Sequence, residues 1–290
     1  MIFFSVLSRL PFRILYYLAD VLCFVLAHVV RYRRSVIRLN LTRSFPEKTP
    51  AQIRALVRGY YRNLTDMIVE TIKLPALSAD ELRQRVVYRS AEPIRQFLAS
   101  GQSVLIMASH QANWEWLPAS TVLNGMAADS IYKPLENPFF ERLMRTIRAT
   151  FGANPVPTNR LLRDMASRRH EPRLIALVAD QMPDTPEHGY WTTFMHQDTP
   201  FYPGSERLAR SLNLPVYYIE MVRLRRGHYE ATFIRVAEPP YTSLSAGTIL
   251  ERYRDLLEKT IIAHPSDWLW SHKRWKHRRE KYAKIETKLE

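Results

Sequence analysis

The residues best suited to chemistry stand together just after an apolar run. SVLIMAS, residues 103–109, leads directly into His110-Gln111-Ala112-Asn113-Trp114-Glu115. A neutral imidazole can take the proton of a hydroxyl as it attacks an acyl carbonyl. A carboxylate that accepts the other ring N–H fixes the tautomer and stabilises the imidazolium that forms. Glu115 can serve His110 in this way if the histidine lies outside a helix and the glutamate one turn inside it. In one continuous helix the two would lie roughly 140° apart and would not pair readily. Taken alone, the spacing is a weak signal. A histidine at a strand end is more often a structural hydrogen-bonding group than a catalyst, and Trp114 and Trp116 are more often packing residues than substrate contacts.

The elements that would position these residues are legible around them. Apolar β-type runs occur at 86–88, 104–107, 174–178, 216–221 and 229–234. Helical stretches lie between many of them, at 90–99, 113–123, 138–150, 159–168, 205–212 and 248–263. Such alternation argues for an α/β fold, a sheet flanked by helices. Ligands of such sheets bind outside the carboxyl ends of the strands, and His110 is expected at one of those ends. Upstream, Thr49-Pro50-Ala51-Gln52 reads as an N-cap, a first-turn proline and a capping-box glutamine. A helix to about Leu74 follows, with Ile53, Leu56, Val57, Tyr60, Leu64, Met67 and Ile68 on one face. Ser78 to Glu81 repeats the capping pattern.

Several classes of protein are disfavoured. With 46% hydrophobic and 11% aromatic residues, the 290-residue chain is no disordered polypeptide. Its single cysteine, Cys23, rules out an internal disulfide framework and a cysteine-rich zinc site. None of the nine histidines forms a convincing metal-ligand set, so no metal is expected. There is neither a Gly-x-Ser-x-Gly elbow nor a P-loop, which argues against a serine acyl-enzyme and a nucleotide-driven reaction. The formal charge of +14 attracts polyanions, whether nucleic acid, acidic lipid headgroups or an acidic carrier protein.

The front of the chain is suited to a membrane. ILYYLADVLCFVLAHVV, residues 14–30, is its most apolar run, and seventeen helical residues cover roughly 25 Å, slightly short of a bilayer core. Pro11 bends or starts a helix there. Asp20 would cost about 2.5 kcal/mol or more facing lipid at mid-depth, so a short span and a partly inserted helix packed on its own domain both fit. Arg31, Arg33, Arg34 and Arg38 follow at once, and basic residues in that position place the rest of the chain on the cytoplasmic side. The division expected is a membrane anchor over 1–30 and a catalytic domain over 31–290.

SHQANWEW, set directly after a buried strand, resembles the HX4(D/E) motif of the lysophospholipid acyltransferase superfamily. The rest of the chain is similar to its lipid A late acyltransferase branch over nearly the whole length. RYRRSVIRLNLTRSFPEKTP resembles the branch's post-anchor segment, YKPLENPFFERLMRTIRATFG its second block and VADQMPD its third. TPFYPGSERLARSLNLPVYYIEMVRLRRGHY resembles the later blocks, and DWLWSHKRWKHR the Trp-His-Arg-rich ending.

The resemblance implies a glycerol-3-phosphate acyltransferase-like mixed sheet flanked by helices, behind an N-terminal membrane helix. It implies an enzyme of the bacterial inner membrane that moves an acyl chain from a thioester, on acyl carrier protein or coenzyme A, to a lipid hydroxyl. No cofactor beyond that thioester is implied. His110 is then the general base and Glu115 its partner. Arg148, with Arg145 one turn earlier as the competing choice, would bind a phosphate of the acceptor or carrier. Asp180, after the strand LIALVA, would position Arg148 or a substrate group. Asn113 is a further candidate for substrate binding. Thr199, Phe201, Gly204 and Glu206 correspond to the superfamily's phosphate block, but Tyr202-Pro203-Gly204-Ser205 departs from its Phe-Pro-Glu-Gly-Thr form. The aromatic and basic tail, from Trp268 to Arg279, would suit a membrane interface or a solvated terminus equally. Two other readings stay open: an acyltransferase for a lysophospholipid or aminolipid, and a non-catalytic basic module that binds membrane or nucleic acid. No nucleic-acid-binding motif supports the second.

Overall fold

The computed structural model describes residues 2–282. Two helices open the chain, α1 (Ile2–Arg9) and α2 (Phe12–Phe24), separated at Pro11, and α2 runs on into a single π turn over Val25–Val29. α3 (Arg34–Ser44) and α4 (Pro50–Lys73) follow. α4 starts where the capping residues predict: Gln52 N–H donates to Thr49 Oγ1, and the Gln52 side chain accepts from Thr49 N–H at 2.8 Å. α5 (Ala79–Arg85) is capped by Ser78, whose hydroxyl accepts the Glu81 N–H.

The alternating part then unfolds as β1 (Val86–Arg89), α6 (Glu92–Ala99), β2 (Val104–Ala108), α7 (Leu117–Leu123), β3 (Ala128–Tyr132), α8 (Pro138–Arg148), β4 (Asn154–Pro157), α9 (Leu161–Ser167) and β5 (Leu174–Val178). A hairpin, β6 (Tyr190–Phe194) and β7 (Gln197–Phe201), stands apart from the main sheet and leads into α10 (Gly204–Leu212). β8 (Val216–Arg225), β9 (His228–Ala237) and α11 (Thr248–Ala263) complete the fold. The main sheet has seven strands in the order β1-β9-β8-β2-β5-β3-β4. Every pairing is parallel except β8 with β9, so the sheet is mixed, as expected.

β2 lies at its centre, and all five of its residues are buried, the unbroken apolar run that a strand covered on both faces requires. Leu105 and Met107 point to one side, into a core shared with α10 and α11; Val104, Ile106 and Ala108 point to the other, against α6, α7 and α8. The short strands β3 and β4 escape a reading of periodicity, because Asp129, Asn154 and two prolines interrupt their apolar pattern.

Two segments differ from expectation. α7 begins at Leu117, not near Asn113; residues 112–116 form turns that leave β2 through Ala112 in the left-handed region (φ 53°). The C-terminal segment is no solvated tail. Trp268, Trp270 and Arg274 are buried, and Trp268 bridges to Gln111 beside the end of β2. Lys273, Lys276, Arg278 and Arg279 remain exposed.

The helix over residues 12–29 is long and apolar enough to cross a membrane. Leu15 and Ala19 are buried on its inner side, in a cluster with Val69 of α4, while Ile14, Tyr17, Val21 and Phe24 are exposed. Asp20, awkward in lipid, is paired with Arg226 in the β8–β9 turn at 2.6 Å. Arg226 Nε also donates to Asp66 of α4 at 2.9 Å, and Arg223 donates to the same carboxylate. One wholly buried aspartate thus ties α4 to the β8–β9 turn and, through Arg226, to the front helix. Replacing Asp66 by Ala opens a buried void beside Arg223, which keeps only the Asn63 side chain as partner, while Arg226 retains Asp20. The expected loss of unfolding free energy is about 3–5 kcal/mol, measured by denaturant titration in detergent. A loss near that of an exposed pair, below about 1 kcal/mol, would contradict this role.

Candidate active site

β2 and β5 are adjacent and parallel, and their register sets Ala108 opposite Val178. The chain therefore leaves the sheet at one level on both strands, and the second residue beyond each strand is His110 on one and Asp180 on the other. His110 Nδ1 stands 2.7 Å from Asp180 Oδ1. The other oxygen, Oδ2, accepts the His110 backbone N–H at 2.8 Å and the indole N–H of Trp268 at 2.7 Å. With its side chain only 1% exposed, burial pushes the Asp180 carboxyl towards a higher pKa. Attraction to the His110 ring and the hydrogen bonds from that ring, the His110 backbone and Trp268 outweigh burial and hold it below the ordinary range. An ionised Asp180 requires the proton on Nδ1, which in the neutral imidazole leaves Nε2 with a free lone pair. The Gln181 amide nitrogen stands 3.1 Å from that atom. Trp114 packs edge-on against the imidazole, ring centres 5.0 Å apart.

The expected pairing of His110 with Glu115 is not formed. The left-handed Ala112 and the turns before α7 carry Glu115 away from the imidazole, where Arg148 grips it through Nε and Nη2 at 2.8 and 2.7 Å. The indole N–H of Trp114 donates to the same carboxylate at 3.1 Å. Glu115 thus reaches His110 only through the Trp114 ring. Arg148 lies at the end of α8 against the Tyr132 ring. Burial works against its charge, but the bonds and charge of Glu115 outweigh that effect and raise its pKa. It is a fixed cation, 19% exposed, and not a free one. Arg145, one turn earlier, is exposed. Asp180 does not touch Arg148; it holds the histidine.

Asn113 is wholly buried, and its amide donates to Glu70 Oε2 at 2.7 Å, so it presents no surface to a substrate. Glu70, on α4, also accepts from Tyr229 at 2.6 Å and Tyr16 at 2.9 Å. Its carboxyl is pushed up by burial, only partly offset by the tyrosine hydrogen bonds. Its backbone carbonyl accepts the Trp116 indole N–H at 2.9 Å. The turns between His110 and α7 are therefore clamped to α4. The stretch corresponding to a phosphate block is largely structural: Thr199 accepts from the Trp275 indole, and Glu206 caps the start of α11 through the N–H groups of Gly247 and Leu250. Gly204 stands under the Tyr202 ring, which a Cβ would strike.

Gln181 and Glu70 are not among the residues that the sequence singles out, and Trp268 was expected in a membrane-interface or solvated tail. Gln181 directly follows Asp180 at a strand end, a position visible in the sequence. Trp268 and Glu70 carry no local signal, since each acts across the fold. Arg274 is fully buried over the Phe201 ring, with Nε and Nη1 unpartnered among the described residues. Burial lowers its pKa to about 10, against the pull of Asp180, so it remains charged at neutral pH and favours the ionised aspartate. Beside the 180–182 loop lies a largely apolar cleft of about 440 Å³, lined among others by Leu22, Leu26, Leu64, Leu269, Arg33 and His272. His272 Nε2 accepts the Met182 N–H at 3.4 Å. Among the described residues no cluster of His, Cys, Asp and Glu could hold a metal ion.

The model of bacterial lipid A biosynthesis acyltransferases matches residues 1–277. The chain belongs to this family. A lipid A biosynthesis acyltransferase of Haemophilus influenzae is 25% identical over 152 residues, covering 52% of this chain and 47% of that protein. The chain thus spans about half the length of that relative. The Escherichia coli lipid A biosynthesis myristoyltransferase is 22% identical over 242 residues, 82% of this chain and 73% of that one. Among solved structures, the 1-acyl-sn-glycerophosphate acyltransferase of Thermotoga maritima aligns over 88% of this chain and 98% of its own, at 14% identity and a TM-score of 0.38. His110 takes its carboxylate from Asp180 beyond β5, and Glu115 its arginine from the end of α8.

Two outcomes are expected. Glu115→Gln and Arg148→Met, measured singly and together by unfolding, couple by about 1–3 kcal/mol; additive losses would mean that the pair carries no energy of its own. His272 titrates at about 4 in the fold, lowered chiefly by burial and then by Arg274, against an ordinary 6.5. Between these values the unfolded chain binds a proton that the folded one does not, so stability falls as pH drops from 6.5 towards 4. His272→Gln flattens that part of the stability–pH curve, and an unchanged slope would refute the assignment.

Proposed function

We propose that the chain transfers a fatty acyl group from a thioester, on acyl carrier protein or coenzyme A, to a hydroxyl of a lipid A precursor. The observation that carries this reading is the 2.7 Å contact between His110 Nδ1 and a buried, ionised Asp180, which leaves Nε2 as a base at the mouth of the sheet. The acceptor hydroxyl gives its proton to Nε2 as its oxygen attacks the thioester carbonyl. The tetrahedral intermediate then expels the thiolate, and the imidazolium returns the proton to sulfur. Asp180 stabilises the transient imidazolium without itself taking the proton. Glu115 serves at one remove, holding Trp114 against the imidazole and Arg148 in a fixed direction.

The apolar cleft beside the 180–182 loop suits a hydrocarbon chain, and Arg33 at its lining suits an anionic headgroup. Attachment to the cytoplasmic face of the inner membrane rests on the exposed apolar side of α2 and on Arg31, Arg33, Arg34 and Arg38 behind it. With Asp20 and Tyr16 bound to the β8–β9 turn and α4, the front helix is favoured as an interfacial anchor over an isolated span.

The test is transfer from acyl carrier protein thioesters to a panel of lipid acceptors by the purified protein, read by mass spectrometry. His110→Ala is expected to abolish transfer with the fold retained. Asp180→Asn, which forces the wrong tautomer, is expected to lower kcat by about 10⁴-fold. Equal rates in wild type and His110→Ala would refute the reading.

A further inference from the structure

The lone pair that the mechanism requires is already occupied. With Asp180 accepting the proton on Nδ1, Nε2 of the neutral imidazole can only accept, and Gln181 presents its NH₂ group to it at 3.1 Å. A hydroxyl about to lose its proton must come within about 2.6–3.2 Å of the same atom. The amide nitrogen therefore stands where the acceptor oxygen has to stand, and the two cannot be there together.

The residues on either side of Gln181 are held, Asp180 by three hydrogen bonds to its carboxylate and Met182 by its N–H, which donates to His272. The half-buried side chain is the part free to turn. Rotation about its own torsions moves the amide off Nε2 but keeps it beside the incoming oxygen. The thioester carbonyl oxygen lies one bond beyond the carbon that this oxygen attacks. A primary amide is suited to both positions: it donates to a neutral imidazole and to an oxygen gaining negative charge, and it adds no charge that would hold the imidazolium in place.

We propose, building on the general-base reading above, that Gln181 is a catalytic residue whose amide caps His110 Nε2 until the acceptor hydroxyl displaces it, then donates to the acyl oxygen as the tetrahedral intermediate forms. The residue is a gate in the resting state and an oxyanion donor in the transition state. No group changes its covalent bonds beyond those of the transfer itself, and the amide keeps its protons throughout.

Gln181→Met keeps length and bulk but removes the donor, and two measurements on the full chain in detergent test it. Diethyl pyrocarbonate acylates an unprotonated imidazole nitrogen, so carbethoxylation of His110, followed by peptide mass spectrometry, needs no acyl substrate. The variant is expected to modify several-fold faster than wild type, because Nε2 is uncovered. In the transfer assay its kcat is expected to fall by about 100-fold, the effect of losing one oxyanion donor, with KM near wild type and the melting temperature unchanged. A role in packing alone would not make the histidine more reactive and the enzyme slower at once. Unaltered modification with unaltered kcat, in a protein whose His110→Ala form is inactive, overturns the assignment of Gln181 alone. Faster modification with unaltered kcat overturns its transition-state role. Transfer by His110→Ala itself overturns the general-base reading and Gln181 with it.

Discussion

Ala108 and Val178 face each other at the ends of two parallel strands, and the chain leaves the sheet at that level twice. This register brings a histidine and an aspartate seventy positions apart into hydrogen-bond contact. A slip of one residue would turn either side chain to the opposite face of the sheet. The buried, unbroken apolar character of β2 makes such a slip costly, because Leu105 and Met107 serve one core and Ile106 and Ala108 the other. The site is thus held in place by the packing of both faces at once.

Around that register the structure arranges two separate carboxylate systems. Asp180 is closed in by the His110 ring and backbone and by Trp268, and its one chemical consequence is the tautomer of the imidazole. Glu115 is closed in by Arg148 and Trp114, and its consequence is the direction of a cation and of an aromatic ring. Trp114 joins the systems, since it touches the imidazole with its ring and Glu115 with its N–H. The carboxylate nearest in sequence to the histidine is therefore kept from competing for the imidazole proton.

A third buried acid, Glu70, secures the loop between them. By accepting from Asn113, Tyr229 and Tyr16 it gathers the front helix, α4, β9 and the turns after β2 at one point. Asp66, one turn earlier on α4, does the same for the β8–β9 turn through Arg223 and Arg226. The helix that would meet the membrane is in this way mechanically continuous with the loop that carries the base. Arg148, Arg223 and Arg226 are cations committed to such buried acids.

The sequence alone determined whatever depends on near neighbours. The capping box at Thr49, the apolar runs of β2 and β5, the helix that carries Arg148 and the position of His110 just past a strand all follow from local periodicity and side-chain chemistry. The ordered blocks that mark the family are likewise linear features. Which carboxylate serves the histidine was not decided there. Spacing favoured Glu115, five residues on, but a left-handed Ala112 and a helix that starts four residues late turned it towards Arg148. Asp180, Trp268 and Gln181 reach the imidazole through strand order and a returning C-terminal segment, whose burial no linear pattern announces. Only the tertiary structure could choose, because the choice rests on the register between strands distant in sequence and on which side chains the shared core forces into contact.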